Sequence, residues 1–536
     1  MLFRTFKSLM ISVLLGFSLM SFCQAKTIVY QGSGNEEWKK TGVRGGDVIV
    51  IPDGEYHNFK ITIQGKGKRS KPVRLKAETP GGVVLTGESW IYYYGHYVVV
   101  DGFDLKNIKP SLYNKKLRAP IANIKPGAST EKSADMCQMC ILQHIRIDQE
   151  HPEALAADYR WVDIYGYYNI VRHNYFGGKK SQGRVLQLNL KHADKENKPA
   201  NHRIQYNYFA SRNEGEPLDN GGEALLIGES SRQHVSAQVR VEMNLFYDAS
   251  VAGEPEVISN KSSDNLYQYN TIRNTSASLT LRHGDRNTVQ YNWFLQNQRP
   301  GSGGVRVIGK DNVVLNNYID GAAGAQGETE GKTYRTALGM AAGYSEADDK
   351  AHINGYQLSV NNVFDRNTVV RSVQPVMLSS WYKRDQDMTR PPQQTTFTNN
   401  LVFQMGHQPL DEYWVKGQAI SVDFTPESKY TNKQGKQNVA EYFPSFKALS
   451  GNISDWAVSN LVKEGVTIDR TSKLSGCDAF ATGDQVFEPF GGTGADLSLM
   501  AEPLRWTNEL KSAKLGPAWL NNNWLDAAKG YRPCQS

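Results

Sequence analysis

Cysteine is scarce in this chain: there are five in 536 residues, and Cys23 among them falls inside an apolar leader. Cys137-Gln-Met-Cys140 has neither a second CxxC nor a His pair to complete a zinc site. It reads as a local disulfide or as two buried thiols, while Cys477 and Cys534 are spaced to staple the C-terminal segment. No apolar run beyond the leader is long enough for a comfortable membrane span, which argues against a membrane protein. No basic run is interleaved with aromatics, so the usual footprint of DNA or RNA binding is missing. No amphipathic helix separates the short apolar segments. No Asp-Asp cluster on the coils that carry the candidate site supplies the paired acids of an inverting hydrolase.

What is present begins with that leader. Arg4 and Lys7 precede an apolar run over 9–22, and Gln24-Ala25 stands before Lys26 at a plausible cleavage point. Residues 1–25 are expected to be a cleaved secretion signal and the mature protein periplasmic or secreted, a compartment that permits disulfides. The net charge of +7 and pI near 8.8 are mild. A secreted basic protein meets acidic polysaccharide more readily than nucleic acid.

A repeat organises the chain. Asn265-Leu-Tyr-Gln-Tyr-Asn270 returns as Asn287-Thr-Val-Gln-Tyr-Asn292 and again as Asn312-Val-Val-Leu-Asn-Asn317, the second asparagines lying 22 and then 25 residues apart. Related units flank these, at Asn169–Asn174 and His202–Asn207 upstream and Asn362–Asn367 downstream. One strand-and-turn unit at this period marks a solenoid. With strands and no helices between them, the fold class is all-β, a right-handed parallel β-helix. Asparagine suits the bends because it tolerates the left-handed backbone and bonds the adjoining turn.

The stretch 253–283 carries the chemistry. Glu254 and Glu256 are two apart, which on a strand places both carboxylates on one face. Like charges held together call for a cation, and oxygen donors suit Ca²⁺. Lys261 and Arg282 are 21 residues apart, about one coil, so they stack on neighbouring strands. Glu254, Glu256, Lys261, Arg282 and His283 are thus expected to line one face as a site. The plain alternative is a pair of solvated surface acids and a structural histidine.

Glu-Pro-Glu followed by Lys261, with Arg282-His283-Gly one coil later, resembles polysaccharide lyase family 6, the alginate lyases and chondroitinase B. The resemblance runs from Ile-Pro-Asp-Gly-Glu-Tyr at 51–56 to about residue 410. It implies β-elimination at a uronate, with Lys261 as base, Arg282 on the leaving side and His283 binding or orienting the sugar. It implies calcium on Glu254, Glu256 and an asparagine from the preceding coil, for which Asn220 is the match and Glu223 the rival. It further implies substrate contacts from Arg306, Lys179 and Arg184. The expected partner is an acidic polysaccharide, alginate ahead of dermatan sulfate, and a monomer is expected. Residues 26–410 are read as the catalytic β-helix and 411–536 as C-terminal coils and cap packed on it, with helical hints at 496–512 and 520–529. The segment 108–140 reads as a long loop over one side, and the Gly- and Ala-rich stretch 321–344 as another over the groove. Trp381-Tyr-Lys-Arg384 is a possible sugar platform. A noncatalytic polysaccharide-binding β-helix stays open as a different class.

Overall fold

A computed structural model describes residues 24–113, 116–212, 220–251, 253–324, 335–343, 355–380, 390–404, 417–422, 444–469 and 493. Strands pair in parallel in three long sheets of 14 strands each, the strand order following the chain coil by coil. Each coil contributes one strand to each sheet in turn. In one coil these are Glu256–Lys261 on sheet 1, Leu266–Gln268 on sheet 2 and Thr271–Arg273 on sheet 3. The architecture is the right-handed parallel β-helix.

The sequence repeat is the sheet 2 strand with the corners at its two ends. Two buried asparagine ladders run along the helix axis beside the sheet 2 strands. In one, the backbone N–H of Asn244 donates to Asn270 Oδ1, that of Asn270 to Asn292, and that of Asn292 to Asn317, at 2.9–3.0 Å. In the other, Asn265 donates to Asn287 and Asn287 to Asn312, at 3.0 Å. Each side-chain amide also serves a carbonyl, as when Asn292 Nδ2 donates to Tyr267 O at 3.0 Å. Buried backbone groups at the bends are thereby satisfied with no water required.

The bend itself departs from expectation at most coils. The left-handed residue is the one before the second asparagine, Tyr269 and Tyr291 at φ 56° and Met243 at φ 55°. The asparagine turns inward and caps the corner. A left-handed non-glycine residue costs about 1–2 kcal/mol, and the ladder bonds offset that cost. The outward aromatics then stack, with the Tyr269 and Tyr291 rings 5.5 Å apart.

Apolar side chains fill the lumen. Phe176, Phe209 and Phe246 stack at 5.4 and 4.5 Å, next to the buried column Ile204, Val241, Tyr267, Val289 and Val314. The coils continue past residue 410 through Ile420–Ser421, Phe446–Ser450, Asn452–Ser454 and Val466–Ile468. The 108–140 segment is more ordered than its polarity suggested. Ser111–Tyr113 and Lys116–Arg118 form a hairpin, and both Ile121–Ala122 and Cys137–Gln138 pair with the Trp90–His96 strand of sheet 1. Cys137 and Cys140 form a disulfide. Cys477, Cys534, Trp381–Arg384, both helical hints and most of the leader lie outside the described residues, as does much of 321–344. Among the described residues, no helix is long and apolar enough to cross a membrane.

Candidate active site

Sheet 1 is where the regular ladder breaks. Between the strands Glu256–Lys261 and Ser278–His283 the register shifts twice, once between Glu256 and Ile258 and again between Asn260 and Lys261. Such bulges re-aim side chains beside functional sites. Here Lys261 comes opposite His283, with Arg282 as the extra residue. One strand further on, Arg306 pairs with Thr280.

Glu256 is the electrostatic centre. It is fully buried, and its Oε1 accepts from Arg306 Nη2 at 2.5 Å and lies 3.6 Å from Arg282 Nη1. Its Oε2 accepts from Ser259 Oγ. Burial pushes this carboxyl up, but Arg282, Arg306 and Lys261 together hold it well below the usual carboxylate range. Glu254 moves the opposite way, raised by burial and then by Glu223 and Glu256. Its two oxygens accept the backbone N–H groups of Gly222 at 2.9 Å and Glu256 at 3.2 Å. Glu223, also buried, lies 3.0 Å from Arg184 Nε.

Lys261 is 8% exposed. Burial lowers its pKa, Glu256 works against that and Arg282 reinforces it, with a net fall. Arg282 is raised further above its ordinary value, chiefly by Glu256 against the effect of burial. His283 is 1% exposed and lowered to about 3, by burial first and by Arg282 and Lys261 next, so its ring is neutral. Neither of its nitrogens has a hydrogen-bond partner among the described residues.

The expected residues are thus largely brought together: Glu254, Glu256, Lys261, Arg282, His283, Arg306 and Arg184. Lys179 is not. Its side chain is fully buried, 3.3 Å from Glu150 Oε1, donating to Ser181 O and facing the Tyr159 ring at 4.5 Å. Burial lowers it to about 7. A lysine enclosed in this way cannot reach a polymer, so the expected substrate contact is corrected to a structural one. Nothing in Gly-Gly-Lys-Lys separates the buried Lys179 from the exposed Lys180.

Asn220 is exposed, its carbonyl accepting from Gln182 Nε2 at 3.5 Å, and among the described residues no hydrogen bond joins it to Glu254 or Glu256. Sequence reasoning missed Tyr356. Its ring centroid lies 5.6 Å from the Arg282 guanidinium, 5.9 Å from that of Arg306 and 6.2 Å from the His283 ring. Aromatic faces attract such cations. It stands outside the repeat, so periodicity carried no signal for it.

Among the described residues, no three of His, Cys, Asp and Glu converge closely enough to form a metal site unaided. The donor chemistry still suits a hard cation. Glu254 is raised first by burial and then by the neighbouring Glu223 and Glu256, so three oxygen-donor carboxyls stand near one another there.

Comparison with known proteins adds to this geometry. A family profile described as chondroitinase B matches residues 36–449. Among solved structures, the alginate lyase AlyGC of family PL6 is 25% identical with a TM-score of 0.64, covering 80% of this chain. This chain spans only 51% of that structure's length. A mannuronic acid specific family 6 lyase from human gut microbiota is 23% identical over 94% of this chain and 100% of its own, with a TM-score of 0.62. A PL6 alginate lyase in complex with a trisaccharide is 20% identical over 93% of this chain and 96% of its own, with a TM-score of 0.59. Comparison with curated protein sequences finds no match.

Proposed function

The chain belongs to polysaccharide lyase family 6, and on that footing we propose that it cleaves alginate by calcium-assisted β-elimination, leaving a 4,5-unsaturated sugar at the new non-reducing end. The observation that carries this reading is the convergence of Lys261, Arg282, His283 and Arg306 on three adjacent strands beside Glu256.

The hard step is removing H5 from a uronate whose carboxylate is already charged. A base with an ordinary lysine pKa of about 10.4 is protonated at neutral pH. Burial and Arg282 push Lys261 down, which raises the share of free amine available to take H5. The C5–H electron pair becomes the C4–C5 double bond as the C4–O bond breaks, and the leaving oxygen carries away the pair of that C4–O bond. Arg282 is held firmly charged by Glu256, so it stabilises the leaving oxygen and does not donate its own proton. The proton that oxygen needs comes from water or from the Lys261 ammonium. Arg306, Arg184 and neutral His283 are the groups to grip and orient the sugar, an arginine fork matching a carboxylate edge.

Glu254 and Glu256, with Asn220 or Glu223, would hold calcium, which when bound supplies positive charge against the substrate carboxylate and the dianion that develops on it. A second reading dispenses with the ion, because Glu256 already faces Arg306 and Arg282. In that case arginines alone neutralise the uronate.

The test is ultraviolet absorbance on mixing the protein with alginate, with and without EDTA, beside Lys261→Ala. A rise abolished by both chelation and the substitution supports the full proposal. A rise that survives EDTA keeps the lyase and favours the arginine reading. A rise on dermatan sulfate alone moves the substrate, and none on any uronate polymer leaves a binding protein.

A further inference from the structure

We propose that two buried arginines, Arg212 and Arg335, are positioning residues that aim the Glu254 carboxyl by holding the backbone on either side of it. The proposal rests on the lyase reading and deepens it, because Glu254 belongs to the acidic end of that site.

Arg212 follows the Tyr208–Phe209 strand of sheet 3, and its own N–H donates to Asp248 O of the next coil at 2.9 Å. It is 2% exposed, and all five N–H groups of its side chain go to backbone carbonyls. Nε donates to Lys179 O at 3.2 Å, and Nη2 to Ser181 O and Gly183 O at 3.1 and 3.2 Å. Nη1 donates to Gly222 O and Glu223 O at 2.6 and 3.1 Å. Buried charges are usually paired with an opposite charge. Glu150, Glu223 and Glu254 lie near enough to offset this one, yet the whole fork is spent on the chain and the acids are left to the site.

The chain it holds is the part that meets Glu254. Gly222 donates its N–H to Glu254 Oε2 at 2.9 Å, and a β-carbon on Gly222 would stand 3.1 Å from Glu254 Cβ. The other segment in its grip, 179–183, leads straight into Arg184, the partner of Glu223. That turn is fixed from behind as well. Glu150 Oε2 accepts the N–H groups of Lys180 and Ser181 at 2.7 Å, and Lys179 Nζ donates to Gln182 O at 3.0 Å. Arg335 works from the opposite side. It too is 2% exposed, and its Nη2 donates to Gly253 O at 2.7 Å, across 82 residues of chain. Gly253 immediately precedes Glu254 and sits at φ 91°, a backbone that glycine adopts freely. Held from Gly222 and from Gly253, the Glu254 carboxyl keeps one direction beside Glu223 and Glu256.

The experiment is a double-mutant cycle read by ultraviolet absorbance on alginate, with activity expressed per folded molecule. Arg212→Lys keeps the charge and loses the fork. It should lower kcat by about 10–10²-fold, the cost of a small misplacement at a reacting centre. KM should change less, because Arg212 is buried and meets no polymer. In a Glu254→Ala background no carboxyl is left to aim, and the same substitution should cost about twofold or less. Arg335→Lys should behave alike, and it covers the case in which Arg212→Lys does not fold. The cycle read by denaturant midpoints should be non-additive too, and that reading decides if Glu254→Ala has no measurable rate. Losses of equal size in both backgrounds, or a loss confined to KM, make these arginines ordinary pins of the fold and overturn the proposal while leaving the lyase standing. Full activity in both folded lysine variants does the same. Absence of absorbance from the parent on every uronate polymer removes the lyase reading and this inference with it.

Discussion

Inside the coil, Asn270, Asn292 and Asn317 each meet the same partners as their neighbours one turn away. On the outer face of sheet 1, no residue repeats the role of the one beside it. Glu256 draws in Arg306, Arg282 and Ser259, Glu254 is held by backbone N–H groups, and His283 has no hydrogen-bond partner among the described residues. The ladder is a structure complete in itself. The face carries like charges, two register shifts and, among the described residues, buried polar atoms without hydrogen-bond partners at Ser278, Thr280, Arg282 and His283. Such expense in one place is the mark of a surface shaped to receive something charged.

The sharpest way to break this contrast is to exchange the two kinds of loss. Lys261→Ala should lower the elimination rate by about 10²–10⁴-fold, the range for a positioned base, with little change in melting temperature. In the parent, the rate should climb with pH and level off below the ordinary lysine value, because burial depresses Lys261. A plateau at or above that ordinary value would deny the lysine its role.

Asn292→Leu should do the reverse. It removes the acceptor for the Asn270 N–H and the donor to Tyr267 O, both buried. At about 1–3 kcal/mol for each orphaned group, the loss is about 2–6 kcal/mol of stability. Chemical denaturation would measure it, while activity per folded molecule should stay within a small factor of the parent.

These two rows were not equally legible. The ladder could be read because it repeats: Asn at a fixed offset in Asn265–Asn270 and Asn287–Asn292 is visible without any coordinates. What the sequence could not say was which residue bends, since Tyr269 and its neighbour Asn270 are both plausible and the left-handed tyrosine is the intrinsically costlier choice. At the site, Lys261 and Arg282 were legible through coil spacing, and Arg306 through the family resemblance. Tyr356 was not, because it reaches the arginines from a segment without periodicity. Lys179 misled because burial depends on Glu150 and Tyr159, which are distant in sequence.

Acid offers an intermediate test, since each region holds one buried histidine. His202 occupies an asparagine rung, its Nδ1 accepting the Asn169 N–H at 3.2 Å, and burial lowers it to about 3. His283 on the face is lowered to about 3 as well. Unfolded, both would take up a proton near pH ~6.5. Below that value the unfolded chain binds more protons than the folded one, so stability is full above it and drains as pH falls toward the folded value. Melting temperature against pH should fall on the acid side, and His202→Asn, which restores the ladder amide, should remove part of that fall. An unchanged acid limb in this variant would mean that His202 is not neutral for the reason given.

The smallest effect belongs to the outside of the same corner. Tyr269 and Tyr291 stack at 5.5 Å, half-buried, on the solvent side of the asparagines. The stack adds about 0.5–1.5 kcal/mol beyond burial in favourable cases, and partial exposure puts it at the low end. Tyr269→Asn removes the ring but installs a residue that adopts the left-handed backbone more easily, which returns part of the loss. Denaturant midpoints should therefore place Tyr269→Asn within about 1 kcal/mol of the parent, far from Asn292→Leu. Were the two losses equal, the corner would be held as much by its outer aromatics as by its amides, and the ladder could no longer be called self-sufficient.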